Sequence, residues 1–377
     1  TSSGNTYTGQ TTISAGTLQL GNNTTTGSLS PSSAIVNNGT LAFYRTDAIT
    51  QGTDFNSVIS GTGGVTQLGS GTTVLNGANT YTGLTLVAAG TLAFGATNVL
   101  GSGPVTVSGA TTVLDMGANH SDIVGTVTLL GGASITGSGA SALTSTGSFE
   151  MKSGSVSASL AGSGISLNKT TGDTVTLGGP NTYTGTTTVD AGTLVVNGTI
   201  SGSTTVNSGG TLAGSNGTLR SVTVESSGAF SPGSNENPIG SLTVNGDLEL
   251  KASSNFNVQF DTDGGFVDAI TVNGNLTIVT GAVFNVSDIG SAPDGFLNFP
   301  NDIITYSGTW NGGTFLGMQD DSIFTSEGVA YLISYNDNDI NGLGLHAVTL
   351  TIVPEPGAAV TLLGGLGLLL GLRRRRA

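Results

Sequence analysis

Carboxylates and an imidazole come together at one place in this sequence, LDMGANHSD at residues 114–122, which carries Asp115, His120 and Asp122. Two carboxylates about 5 to 10 Å apart could hydrolyse a glycosidic bond, one as acid and the other as base or nucleophile. A polysaccharide lyase would need a base for proton abstraction and cations to neutralise the uronate. The basic residues before the C-terminal end are Arg45, Lys152, Lys169, Arg220 and Lys251, widely scattered, and the second imidazole is His346. A surface loop accounts for the trio without any chemistry. DTDGGFVD from Asp261 and NDND from Asn336 invite a calcium-loop reading. Such a loop needs acidic residues at alternate positions before its glycine and a closing glutamate, and Asp261, Asp263 and Gly264 miss that spacing. With two histidines and no nucleophile motif, no Ser-His-Asp arrangement stands out. The sequence assigns no catalytic, cofactor-binding or metal residue, and calcium near Asp261 and Asp263 is the only cofactor it invites.

Elements that would position any such residue are announced by composition. The chain has 377 residues, 62 of them Gly, with 8% charged residues and a mean hydropathy of +0.18. Disordered chains are charge-rich and hydrophobe-poor, whereas here 36% of residues are hydrophobic, and Val, Ile, Leu and Thr fill the stretches between glycines. That mix predicts many short strands joined by tight turns. Cysteine is absent, so no disulfide or thiolate-bound metal holds the fold. The net charge is −14, and four of the nine basic residues are Arg373, Arg374, Arg375 and Arg376. The body before them sets five basic residues against 23 acidic ones, a balance that repels nucleic acid.

Three segments align without a gap over seventeen positions: NTYTGQTTISAGTLQLG from Asn5, NTYTGLTLVAAGTLAFG from Asn79 and NTYTGTTTVDAGTLVVN from Asn181. Ten positions are identical, and none is charged, His or Cys. Apolar residues recur with period two, as in Leu92 and Phe94 or Leu194 and Val196, which places one face of each strand in a core. Gly16, Gly90 and Gly192 suit a turn with positive φ between two strands. One such unit buries too little by itself, and stacking units supplies the missing edges. The expectation is an all-β, right-handed parallel β-helix with coils of about 20–25 residues and roughly fifteen rungs, on the order of 70 Å long. Thr suits the pleated surfaces, and Asn stacked at turns can satisfy backbone groups rung after rung. Tyr7, Tyr81 and Tyr183 are expected to pack at a corner of the coil; a ladder of sugar-stacking rings is the other reading.

The repeat resembles the autotransporter-associated β-strand repeat of large exported bacterial surface proteins. Further stretches fit it, among them those running from Gly39, Ser159 and Ser226, so that the likeness covers most of residues 1–280. It implies a parallel β-helix of the passenger type. The chain departs from the family in that no outer-membrane barrel of about a dozen amphipathic strands follows in this sequence, so self-secretion is not the expectation. The chain opens at Thr1 inside a repeat unit, by removal of a leader or by truncation.

After Pro238 the composition shifts: residues 240–352 hold thirteen acidic residues and one basic, with the single Trp310. We expect residues 1–238 to be the repeat helix and 239–352 its last coils with an acidic β cap that ends the stack. Residues 353–377 form a tail. There Pro354, Glu355 and Pro356 precede an uncharged apolar run of sixteen residues, 357–372, and then Arg373 to Arg376. As a helix this run is about 24 Å long, shorter than the ~30 Å hydrocarbon core, with the arginines on the cytoplasmic side. The tail resembles the PEP-CTERM sorting signal. That resemblance implies recognition by an exosortase-type membrane protease, membrane contact only through 357–372 before processing, and a link to extracellular polysaccharide and biofilm. The expected function is a non-enzymatic, exported surface or matrix protein with a structural or adhesive role. It would sit at the cell surface or outside the cell after transient anchoring in the inner membrane. The alternative is a polysaccharide-degrading β-helix enzyme, a lyase or glycoside hydrolase.

Overall fold

The computed structural model describes residues 4–55, 58–234, 237–290, 300–338 and 345–353. These residues form an all-β parallel solenoid of about 11 turns, with no helix, in place of the roughly fifteen expected. The expected tail helix and its flanking residues, 354–377, lie outside the described residues. The chain divides into two compact units, 1–223 and 224–377.

In the first unit each coil contributes one strand to each of two long parallel stacks. One stack runs from Thr17–Thr24 through Gly64–Gln67, Thr85–Val87 and Phe149–Met151 to Thr204–Val206. The other runs from Ala48–Thr50 through Thr91–Phe94 and Ala133–Ser138 to Gly210–Gly214. Shorter ladders, such as Ser121–Val124 beside Ala142–Ser145, close a third side. Register gives the coil length directly. Thr11 pairs with Ile35, 24 residues on; Val65 pairs with Thr85, 20 on; Thr187 pairs with Thr204, 17 on. Strands of three or four residues alternate inward and outward as the pattern predicts, and Val87, Leu92, Val107, Leu114, Leu129 and Ile135 are almost wholly buried. A parallel ladder also stacks like on like, so each buried side chain lies over its counterpart in the neighbouring coil.

The glycine between the paired strands of a repeat has two reasons to be glycine. Gly90 has φ +57°, and a Cβ there would fall 2.4 Å from the carbonyl oxygens of Gly69 and Gly71 in the coil beneath.

In the second unit the coils lengthen. Leu248 pairs with Leu276, 28 residues on, and Ile270 with Ile304, 34 on. Larger side chains fill the wider section. Phe230 lies over Phe256 and Phe256 over Phe284, with ring centroids 6.4 and 5.8 Å apart, and Phe315 stacks on both. Among the described residues Asn301–Tyr306 is the last strand added in parallel. It then pairs antiparallel with His346–Ile352, which pairs antiparallel with Val329–Asn338, and that strand with Ser322–Ser326.

Candidate functional site

The acid–base trio dissolves into backbone support. Asp115 and Asp122 lie on strands of different sheets, Val113–Ala118 and Ser121–Val124. Asp115 accepts hydrogen bonds from Gly117 N (2.9 Å) and Thr136 Oγ1 (3.1 Å). His120 places Nδ1 3.1 Å from Met116 O. Asp122 is buried and accepts from Leu100 N (2.7 Å) and Ile123 N (2.8 Å). Burial pushes its carboxyl up, against the pull of those N–H donors. Asp122 therefore does not lie on the surface loop expected of it. Three of the five basic residues are similarly spent, while Lys152 is half-buried and Arg220 exposed. Arg45 is buried, bridged to Asp47 at 2.7 Å and donating to Thr25 O and Gly27 O. Lys169 is fully buried, with Nζ donating to Thr171 O and Ala191 O, and Lys251 pairs with Glu249.

Asp122 belongs to a device used along the chain: a buried Asn or Asp that takes a backbone N–H from the preceding coil. Asn79 accepts from Ile59 N (2.7 Å) and donates to Val99 O (2.6 Å), so it ties its coil to both neighbours. Asn181 accepts from Leu160 N (3.1 Å). Asp268 in the second unit accepts from Gly240 N (2.7 Å) and Gln259 N (2.9 Å). Burial raises its carboxyl to about 7.

The repeat's Tyr and Thr answer each other. Tyr81 and Tyr183 are fully buried, and their hydroxyls meet Thr85 Oγ1 at 2.6 Å and Thr187 Oγ1 at 2.7 Å. Corner packing thus describes these two rings, which have no face left for a sugar. Tyr7 departs from it: it is 41% exposed, though it keeps the contact with Thr11 Oγ1 (2.9 Å).

At the proposed calcium loop, Asp261 Oδ1 accepts from Asp263 N and Gly264 N, both at 3.1 Å, and so builds the turn of a hairpin between Phe260–Asp261 and Phe266–Val267. In the NDND stretch Asp337 accepts from Thr349 Oγ1 at 2.7 Å. Among the described residues no three His, Asp or Glu gather as metal ligands, and no helix is long and apolar enough to cross a membrane. Pro354, Glu355, Pro356 and Arg373, Arg374, Arg375 and Arg376 lie outside the described residues.

Sequence reasoning missed a feature on the outside of the first unit. Each strand of one long stack carries two outward side chains that flank a core residue. Register places Thr128 beside Glu150, then Asn168, Thr188 and Thr205 in one column. Two residues earlier in each coil, a second column contains Thr126, Ser148, Ser166, Thr186, Ser203 and Ser221, held in line by bonds such as Val127 N to Ser148 O and Thr187 N to Ser203 O. All are half-buried or exposed. The one charge, Glu150, has Oε1 taken by Ser148 Oγ (2.7 Å) and Asn168 Nδ2 (2.8 Å). The signal was available: Ser or Thr, a core residue, a polar residue and another core residue recur as TVTL, SFEM, SLNK, TTTV, STTV and SVTV. Only coil register shows that they stack.

Comparison with known proteins points the same way as the repeat. Residues 1–20, 65–94 and 167–196 match the family model described as Passenger-associated-transport-repeat. The chain is similar to the Adhesin BmaC autotransporter of Brucella suis biovar 1 (strain 1330), 39% identical over 109 residues. That alignment takes in 29% of this chain and spans only 3% of the length of the relative.

Proposed function

We infer that this chain is the repeat-bearing part of an exported cell-surface protein that works by adhesion or as a structural spacer. The observation that carries the reading is the use to which the repeat puts its identical residues. Asn79 ties its coil to both neighbours, Gly90 lets the turn lie against the coil beneath, and Tyr81 and Thr85 are buried on each other within the coil, which makes the repeat a building unit. The matches to a passenger repeat and to a protein named as an adhesin autotransporter support the setting. Asp115, Asp122, Arg45 and Lys169 hold backbone groups, so a spacer or adhesive role fits them better than glycan hydrolysis.

Three finer parts belong to the same reading. The antiparallel strands from Asn301 to Ile352 act as a cap that ends parallel stacking. The Pro354-Glu355-Pro356 tail serves as a PEP-CTERM sorting signal read by an exosortase-type protease, after transient membrane anchoring through 357–372. The setting is an extracellular matrix of polysaccharide or biofilm. The test is to express the full chain in a host that carries such a protease, label intact cells, and measure their adherence. Surface labelling with gain of adherence is the expected outcome. Protein confined to the cytoplasm, or turnover of a polysaccharide by the purified chain, would overturn the reading. Replacing Pro354, Glu355 and Pro356 together by Ala should block tail removal, and normal processing of that variant would refute the sorting assignment.

A further inference from the structure

We propose that the double column on the first unit is a binding face for an extended, uncharged polysaccharide. The face is six coils tall, from Thr126 to Ser221 in one column and from Thr128 in the other. Adjacent coils stand ~4.8 Å apart and the columns about 7 Å apart, two residues along a strand. Most hydroxyls here have no partner among the described residues: Thr128, Ser166, Thr186, Thr188, Ser203 and Thr205 face outward, while the buried Thr187 spends its own on Tyr183. Each unspent hydroxyl offers one donor and two acceptor positions. A matching ligand must offer donors and acceptors alternately, at intervals near the coil spacing, over several coils. A chain of pyranose rings does this through its own hydroxyls.

Charge narrows the class. The column holds no cation, its single carboxylate is already engaged, and the chain carries −14 overall, so a uronate or sulfated polymer would be repelled. No aromatic ring stands in either column, which makes the contact one of many hydrogen bonds, each small after exchange with water and strong only in sum. The face ends toward the N-terminus, where one column passes to Pro104 and Leu84 and the other, after Thr106, to Leu86. That boundary makes the site a defined stretch of the solenoid.

This inference rests on the adhesive reading for its biological setting, yet the face can be tested by itself. The full chain is presented to microcrystalline cellulose, curdlan and alginate, and retention is measured against salt. Expected is retention on at least one of the neutral polymers, insensitive to salt, and none on alginate. Thr188→Val with Thr205→Val, which preserve shape and remove hydroxyls, should weaken retention about tenfold. Thr188→Lys with Thr205→Lys should weaken it further, and Thr176→Lys with Thr193→Lys, on the other long stack, should not change it. Thermal unfolding of each variant checks that the solenoid persists. No retention on the neutral polymers, equal retention on alginate, or equal loss in the control pair would overturn the proposal. Shaping of ice crystals lost in the same variants, without glycan retention, would reassign the face to ordered water and equally overturn it. Adherent cells displaying a chain that fails on all polymers would sink the face and leave the adhesive reading standing.

Discussion

At Asp268 a carboxyl with no exposed surface accepts two backbone N–H groups, and burial lifts its pKa to about 7. The unfolded chain releases this proton near pH 4, so between about 4 and 7 the native state binds more protons than the unfolded one. Stability should therefore fall as pH rises through that window, with a ceiling of roughly 4 kcal/mol from this group. Urea midpoints measured from pH 4 to 8 should show the decline. Asp268→Asn should flatten it, while costing stability at pH 4 because an amide accepts only at its oxygen. An unchanged slope would put the titration elsewhere. A second residue-scale expectation concerns Tyr81 and Thr85. Tyr81→Phe should cost ~1–2 kcal/mol, because Thr85 keeps a buried hydroxyl with its partner gone. Adding Thr85→Val should recover part of that loss, and strict additivity in the double-mutant cycle would mean the two hydroxyls do not interact.

At the scale of the element, the tight turn separates conformational need from close approach. Gly90→Ala should destabilise by ~2 kcal/mol or more, through positive φ and collision with the carbonyls of the coil beneath. Gly172→Ala, where an added Cβ meets nothing within 4 Å, should change little. Chemical denaturation of the two variants checks the contrast, and equal effects would refute it. The strands themselves were legible in the sequence, because alternation of Val, Leu and Thr with a turn glycine is a local signal. The duties of Asp122 and Lys169 were not. Both look like surface chemistry in a linear reading, and each is buried only because the next coil covers it. The same blindness hid the outward hydroxyls, whose Ser-x-Thr spacing is unremarkable in one strand and acquires meaning in a stack.

Over the whole molecule, self-repulsion follows from 23 acidic residues against nine basic ones. Salt screens such repulsion within a Debye length of ~10 Å at 0.1 M. The melting temperature should therefore rise as sodium chloride is added from 10 to about 150 mM. A fall over that range would show that the few ion pairs, such as Arg45 with Asp47, outweigh the excess of negative charge.

Class, strand chemistry and the repeat could be read without coordinates, because alternation, turn glycines and identical segments are properties of neighbouring residues. What the chain alone suggested only as a uniform length of about 20–25 residues was the length of each coil, set at 17 to 24 residues in the first unit and 26 to 34 in the second. Those lengths decide which side chains lie above one another. Register across coils is a long-range fact, settled by how bulky residues such as Phe256 and Phe284 stack inside, and it turns scattered polar residues into backbone ties or an outward column.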